Sequence, residues 1–247
     1  MYGGAFPAMI SLITLFFAAS AGIWGQALSS LFLTGIILLG VLITFLISRV
    51  LSSTILRGKP SSFVLELPPY RRPQVGQVLV RSVLDRTLFV LGRAVTVAAP
   101  AGLVIWLMAN LTIGGESLLS LCAGFLDPLG RALGMDGVIL MAFILGFPAN
   151  EIVMPIVMMA YLAQGHLMEM DLLALGALLR ENGWTWLTAL CTILFSLLHW
   201  PCSTTCLTIR KETGSWKWVG LAVLLPTLCG ATLCFLIASF SRFLGLV

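Results

Sequence analysis

Charged side chains are scarce in this chain: they make up 10% of its 247 residues, against 59% hydrophobic residues and a mean hydropathy of +1.05. A soluble domain carries about 25% charged residues, so the composition excludes one and points to an integral membrane protein. The small surplus of +4 then speaks to topology, and no nucleic-acid partner is expected. No Gly-x-x-x-x-Gly-Lys-Ser/Thr loop occurs, which excludes a P-loop nucleotide site within these residues. No nucleophile, base and orienting group suggest an enzyme. Six cysteines, Cys122, Cys191, Cys202, Cys206, Cys229 and Cys234, lie mostly in apolar runs and do not resemble a secreted disulfide framework. Met1 leads without a basic stretch into Gly3, Gly4 and Pro7, so no cleavable signal peptide is read there.

What the chain has in abundance is long apolar runs. Leu31–Ser48, Ala94–Leu111, Val138–Met159 and Val219–Phe240 are each long enough to cross roughly 30 Å of hydrocarbon at about 1.5 Å per residue. They are continuous rather than alternating, which excludes a strand barrel. The expected fold is all-α, a polytopic transmembrane bundle of five or six membrane-embedded segments.

Along the chain, a first span is read at Phe6–Trp24, a turn at Gly25–Ser30 and a second span at Leu31–Val50. Residues 51–93 follow as the one long polar stretch. Arg57, Lys59, Arg71, Arg72, Arg81, Arg86 and Arg93 stand there against Glu66 and Asp85, a cytoplasmic signature by the positive-inside rule. From Val75 its spacing suggests an amphipathic helix at the headgroups. Pro68 and Pro69 fix the backbone, so Glu66–Tyr70 is expected to form an ordered cuff. Thr112–Gly137 is acidic and reads as the outer face, with a short helix at Leu118–Leu133 ended by Gly134.

If Val138–Ala163 crossed fully, the acidic Gln164–Gly183 would be cytoplasmic and the basic Arg210, Lys211 and Lys217 external. A re-entrant hairpin turning at Pro148-Ala149-Asn150 removes both conflicts. Trp184–Leu207 then crosses inward and Val219–Phe240 returns. Trp184, Trp186, Trp216 and Trp218 are read as interface anchors. A short echo, Phe6-Pro7-Ala8 against Trp200-Pro201-Cys202, would then run in opposite directions, as in inverted repeats.

Two polar knots interrupt these runs: Gly146-Phe147-Pro148-Ala149-Asn150-Glu151 and His199-Trp200-Pro201-Cys202-Ser203-Thr204-Thr205-Cys206. Irregular backbone at membrane depth survives only inside protein or beside a cavity, and ionisable groups there usually mark a transport path. Pro148 and Pro155 bracket Asn150 and Glu151 and are expected to unwind the chain around these oxygen ligands. In an unbroken helix His199, Cys202 and Cys206 would share one face. Imidazole and thiolate suit ferrous iron, zinc or cuprous copper rather than magnesium or calcium. Ser203, Thr204 and Thr205 are expected to bond the carbonyls that Pro201 frees. The other four cysteines read as packing, and Met154, Met158 and Met159 as apolar filler.

Three stretches carry a family resemblance: Phe63-Val64-Leu65-Glu66-Leu67-Pro68-Pro69-Tyr70-Arg71-Arg72-Pro73, Leu145–Val153, and His199–Thr205 followed by Ile209–Trp218. In this order they resemble the membrane region of the FeoB family, the bacterial ferrous-iron transporter B proteins. The resemblance implies a multi-pass protein of the bacterial cytoplasmic membrane that imports ferrous iron, the ion being cargo rather than a resident cofactor. It implies paired gate segments and a GTPase domain or separate GTPase chain as partner, and leaves room for a homo-oligomer. Residues 1–50 would hold the remainder of the first gate and the helix after it, 51–93 the cytoplasmic connection, and 94–247 the second gate and remaining helices. Cys202 matches the second-gate cysteine and Glu151 the acid of the preceding hairpin. The first gate lacks its usual cysteine before Phe6-Pro7.

The expected metal-binding residues are therefore Cys202, Glu151 and Asn150, with His199 and Cys206 as further candidates. Two rivals stand beside this reading. One is a gate-type transporter of nucleosides or another small solute, against which the paired thiols argue. The other is a non-transporting membrane scaffold.

Overall fold

In lipid a backbone must satisfy its own hydrogen bonds, and helices account for almost all of the described chain. The computed structural model describes residues 6–17, 23–54, 89–162 and 171–246, together with Gly76 and Val80. In order they form α1 (Phe6–Phe16), α2 (Ile23–Ser53), α3 (Phe89–Asn110), a small hairpin of β1 (Thr112–Ile113) and β2 (Glu116–Ser117), α4 (Leu118–Ala132) and α5 (Gly137–Leu145). A single 3-10 turn (Asn150–Ile152) leads to α6 (Val153–Tyr161), α7 (Leu172–Glu181), α8 (Trp186–Leu198), α9 (Ser203–Thr213) and α10 (Trp216–Phe243). The chain is an all-α polytopic bundle, as its composition requires. The Glu66–Tyr70 cuff and, apart from Gly76 and Val80, the amphipathic helix from Val75 lie outside the described residues.

Two compact units divide the chain, residues 1–36 with 97–247 and residues 37–96. The second contains the later turns of α2 and the opening turns of α3. Both knots belong to the first.

Among the described residues three helical stretches are long and apolar enough to cross a bilayer: Ala27–Ser53, Trp186–Thr213 and Trp216–Phe243. Helices α4 and α5, bent by 110° where they join, would make a fourth if counted as one. In α3 the apolar stretch is shorter, Ala99–Asn110. Two expectations are corrected. The turn at Gly25–Ser30 does not form, because those residues open α2. A single glycine costs a helix only about 1 kcal/mol, too little to end one inside a long apolar run. The first span is also shorter than Phe6–Trp24, since α1 has 11 residues, roughly 17 Å of helix and about half a bilayer.

Helices α5 and α6 have nine residues each, roughly 13.5 Å apiece. They fold back on one another as a hairpin whose open end is closed by a bond from the Tyr161 hydroxyl to Asp136 Oδ2. Helix α5 is apolar all round and seven of its residues are buried, the mark of a helix enclosed by protein. Its start is held by two carboxylates. Asp136 Oδ1 accepts from the Ile139 amide at 2.7 Å, and Asp127 Oδ1 from the Gly137 amide at 3.2 Å. Both occupy amides that no helical carbonyl can reach. Just before, Gly134 at φ +76 ends α4, with the Met135 amide bonded back to the Gly130 carbonyl at 2.9 Å.

Around the hairpin, α8 packs on α10, where the Cys234 thiol points at the Cys191 carbonyl at 3.4 Å. Helix α1 lies against α7 and α8. Arg180 Nη2 donates to the Leu15 carbonyl at 3.0 Å, placing a cation at the carboxy end of α1. Trp184 is 4% exposed and its indole donates to the Tyr161 hydroxyl at 2.8 Å. It is therefore a buried link rather than the expected interface anchor. Trp186 and Trp216 are exposed, and the Arg210 guanidinium lies 4.1 Å above the Trp216 ring.

Candidate functional site

The hairpin reverses direction through a run of tight turns. The Phe147 amide donates to Ile144, Ala149 to Gly146 and Ile152 to Ala149, at 3.2, 3.0 and 3.2 Å. Gly146 permits the reversal because a Cβ there would sit 2.6 Å from the Val153 side chain. Pro148 supplies no amide within this turn, as expected. Pro155 behaves otherwise: it lies inside the first turn of α6, where a helix has no bond for its nitrogen to lose. The unwound stretch is therefore 146–152 and does not extend to Pro155.

The second knot breaks the span Trp186–Thr213 between α8 and α9. His199 is extended at φ −82, ψ −176, and Cys202 caps α9 at φ −61, ψ 158. No continuous helix joins His199 to Cys202 and Cys206, so their spacing does not stack them on one helical face. The first knot and the second meet. The Ser203 amide donates to the Phe147 carbonyl at 2.9 Å, and the Ser203 hydroxyl lies 3.5 Å from the Pro148 carbonyl. Two helix amino ends, α6 and α9, and two carboxy ends, α5 and α8, are thereby gathered at the breaks, the arrangement in which broken helices bind ions.

The hydroxyls were expected on carbonyls freed by Pro201. Instead Thr204 and Thr205 place theirs 3.1 and 3.2 Å from the Cys202 sulfur, while Ser203 bonds across to the hairpin. It is the Cys206 thiol that points at the Pro201 carbonyl, at 3.6 Å. The reason is geometric: Pro201 lies before α9, so its carbonyl falls to a side chain one turn into the helix. Cys202 is half-buried, Cys206 buried and Glu151 exposed. His199 is 8% exposed, packed against Phe143, Phe195 and Trp200, with Nδ1 2.8 Å from the Ser196 carbonyl.

Among the described residues three buried side-chain polar atoms have no hydrogen-bond partner: Asn150 Oδ1, His199 Nε2 and Trp200 Nε1. A buried polar atom without a partner costs about 1–3 kcal/mol. All three belong to the two knots. Among the described residues no three of the His, Cys, Asp and Glu side chains stand together as a ready metal cluster. Sequence reasoning missed Phe147 and Ser203, which join the knots through backbone groups. It also missed Asp136, which could have been found as a capping residue directly before an apolar run.

Comparison with known proteins gives two family matches. Residues 33–85 match the model described as "Ferrous iron transport protein B C terminus", and residues 91–216, half of the chain, match the one described as "Nucleoside recognition". A Fe(2+) transporter FeoB of Staphylococcus aureus (strain MSSA476) is 31% identical over 231 residues, covering 89% of this chain and 33% of that protein. The FeoB of Methanocaldococcus jannaschii is 26% identical, covering 75% of this chain and 28% of its own length. A Porphyromonas gingivalis protein named as a fusion of Fe(2+) transport protein A and FeoB is 22% identical, with 88% and 30% covered. The chain thus spans about a third of the length of the curated relatives it matches. No solved structure matches it. A gate-family match across both knots, flanked by the FeoB carboxy-terminal match and relatives along most of the chain, places this multi-pass membrane chain in the FeoB family, in its carboxy-terminal gate region.

Proposed function

We propose that this chain forms the ferrous-iron path of a transporter in the bacterial cytoplasmic membrane, and that the ion passes where the hairpin tip meets the broken span. The observation that carries this reading is the bond from the Ser203 amide to the Phe147 carbonyl, which sets side by side two helix breaks that each contain an unpartnered polar atom. Cys202 is the soft ligand, its sulfur held by the Thr204 and Thr205 hydroxyls. Asn150 and Glu151 offer oxygen from the hairpin, and Cys206 is secondary because its thiol is engaged with Pro201. Few and separated donors suit an ion that must leave again. The chain itself is not an enzyme in this reading. GTP hydrolysis belongs to a domain or partner chain that carries a P-loop, which this sequence does not contain.

The test is metal-dependent protection of Cys202 from maleimide in nanodiscs, with the other five cysteines replaced. Ferrous iron, zinc or cobalt should protect it, since a metal deprotonates and covers a coordinating thiol. Magnesium should not, because it prefers oxygen ligands and keeps its waters. Glu151→Gln should weaken the protection. Cys202→Ser should lower iron uptake by the complete transporter, and Cys229→Ser should leave it near the starting level. Equal labelling with and without metal, with normal uptake by Cys202→Ser, would make Cys202 a packing residue and remove the proposal.

A further inference from the structure

We infer that His199 ligates the transported ion through Nε2, as a neutral imidazole whose Nδ1–H is fixed by the Ser196 carbonyl; this rests on the iron-path reading above and names the atom that selects the ion. A backbone carbonyl can only accept, so the 2.8 Å contact between Nδ1 and the Ser196 oxygen places a proton on Nδ1. The remaining nitrogen, Nε2, is buried and has no partner. A second proton there would put a full charge, with no acceptor for its N–H, among the rings of Phe143, Phe195 and Trp200. Nε2 is therefore a bare lone pair in a dry wall. This is how a metal-binding histidine is prepared: one nitrogen is tied to a carbonyl, which fixes tautomer and ring orientation, and the other is left for the metal.

The extended backbone of His199 gives the ring this role. Helix α8 ends at Leu198, and His199 turns off its axis at ψ −176 while its Nδ1 reaches back to cap the last turn at Ser196. Its neighbour across the breaks is the hairpin, whose Phe143 ring packs 5.1 Å from the imidazole. The same hairpin carries Asn150, whose Oδ1 is likewise buried and unpartnered. An unpartnered nitrogen and an unpartnered amide oxygen are each donors of the kind a cation takes, one in each of the two knots. A neutral imidazole favours borderline divalent ions such as Fe2+, Zn2+ and Co2+, and gives little to Mg2+ or Ca2+. Selection against magnesium would thus be built into the wall of the path rather than left to Cys202 alone.

The sequence contains two histidines, His166 and His199, so His166→Gln leaves a single imidazole to observe. In the 15N-histidine-labelled chain in nanodiscs, the metal-free spectrum should show Nδ1 protonated and Nε2 bare. Zn2+ should shift the Nε2 resonance strongly while Nδ1 keeps its proton, and Mg2+ should leave both in place. His199→Gln should weaken Zn2+ binding at least ~10-fold, and His199→Ala, which leaves more room, should weaken it by a similar factor. An Nε2–H tautomer, or an Nε2 resonance unmoved by Zn2+ while Zn2+ still protects Cys202, overturns the ligand assignment and leaves the iron-path reading standing. If Zn2+ neither moves Nε2 nor protects Cys202, both are overturned.

Discussion

The Tyr161 hydroxyl donates to the Asp136 carboxylate, joining the last residue of α6 to the residue that caps α5. With the Trp184 indole donating in turn to the Tyr161 oxygen at 2.8 Å, the open end of the hairpin is tied to the start of the broken span. Both ends of the hairpin and the entry to α8 thus share one level of the bundle.

Tyr161→Phe should therefore destabilise the fold although the ring is kept. It leaves the buried Trp184 N–H without an acceptor and Asp136 Oδ2 without its donor. The expected loss is about 1–3 kcal/mol, seen as a lower unfolding midpoint in detergent by roughly 2–4 °C per kcal/mol. An unchanged midpoint would mean the pair contributes nothing.

Sidedness follows from the same closure. Because the hairpin ends where it begins, a cysteine at Gln164 should label from the outer face of the membrane and one at Gly214 from the cytoplasmic face. The broken span Trp186–Thr213, long and apolar enough to cross a bilayer, lies between them. Cytoplasmic labelling at Gln164 with external labelling at Gly214 would show that α5 and α6 cross the bilayer together rather than dip into it.

How much of this could be read from residues alone divides along a physical line. Membrane class, helix content and the two breaks were legible because they depend on composition and on proline and glycine in apolar runs. The length of the first span was not, since Gly25 carries no signal that tells a helical glycine from a turn glycine. Trp184 misled for a similar reason: an indole anchored at a headgroup and one donating to Tyr161 have the same sequence neighbourhood. The contact of Phe147 with Ser203 was also illegible, because it runs through backbone groups that every residue owns. The residues Cys202, Glu151, Asn150, His199 and Cys206 were singled out by type as candidates, but which atoms lack partners could only come from packing.

Helix crossing gives a sharper test of packing. A Cβ on Gly137 would lie 1.9 Å from the Ala123 carbonyl oxygen and 2.7 Å from the Asp127 nitrogen, whereas one on Gly102 meets nothing within 4 Å. Gly137→Ala must push α4 and α5 apart against backbone, which does not yield as a flexible side chain would. It should cost about 1–3 kcal/mol or more and reduce the amount of folded protein recovered, while Gly102→Ala should be close to neutral. Equal recovery and equal unfolding midpoints for the two variants would contradict the α4–α5 contact.

The joint between the knots can be cut with one substitution. Ser203 is the first residue of α9, a position that accepts proline because no helical carbonyl serves its amide. Cys202 before it already has the extended backbone that a following proline requires, at φ −61, ψ 158. Ser203→Pro therefore leaves α9 able to form and deletes the N–H that holds the Phe147 carbonyl at 2.9 Å. Stability should fall by only about 1 kcal/mol. If this bond keeps the hairpin seated over the break, the half-buried Cys202 should react several-fold faster with maleimide, and iron uptake by the complete transporter should change in rate. Ser203→Ala, which keeps the amide and loses only the weaker hydroxyl contact to Pro148, should label at nearly the starting rate. Identical Cys202 labelling in both variants would show that the bond positions backbone without closing the path.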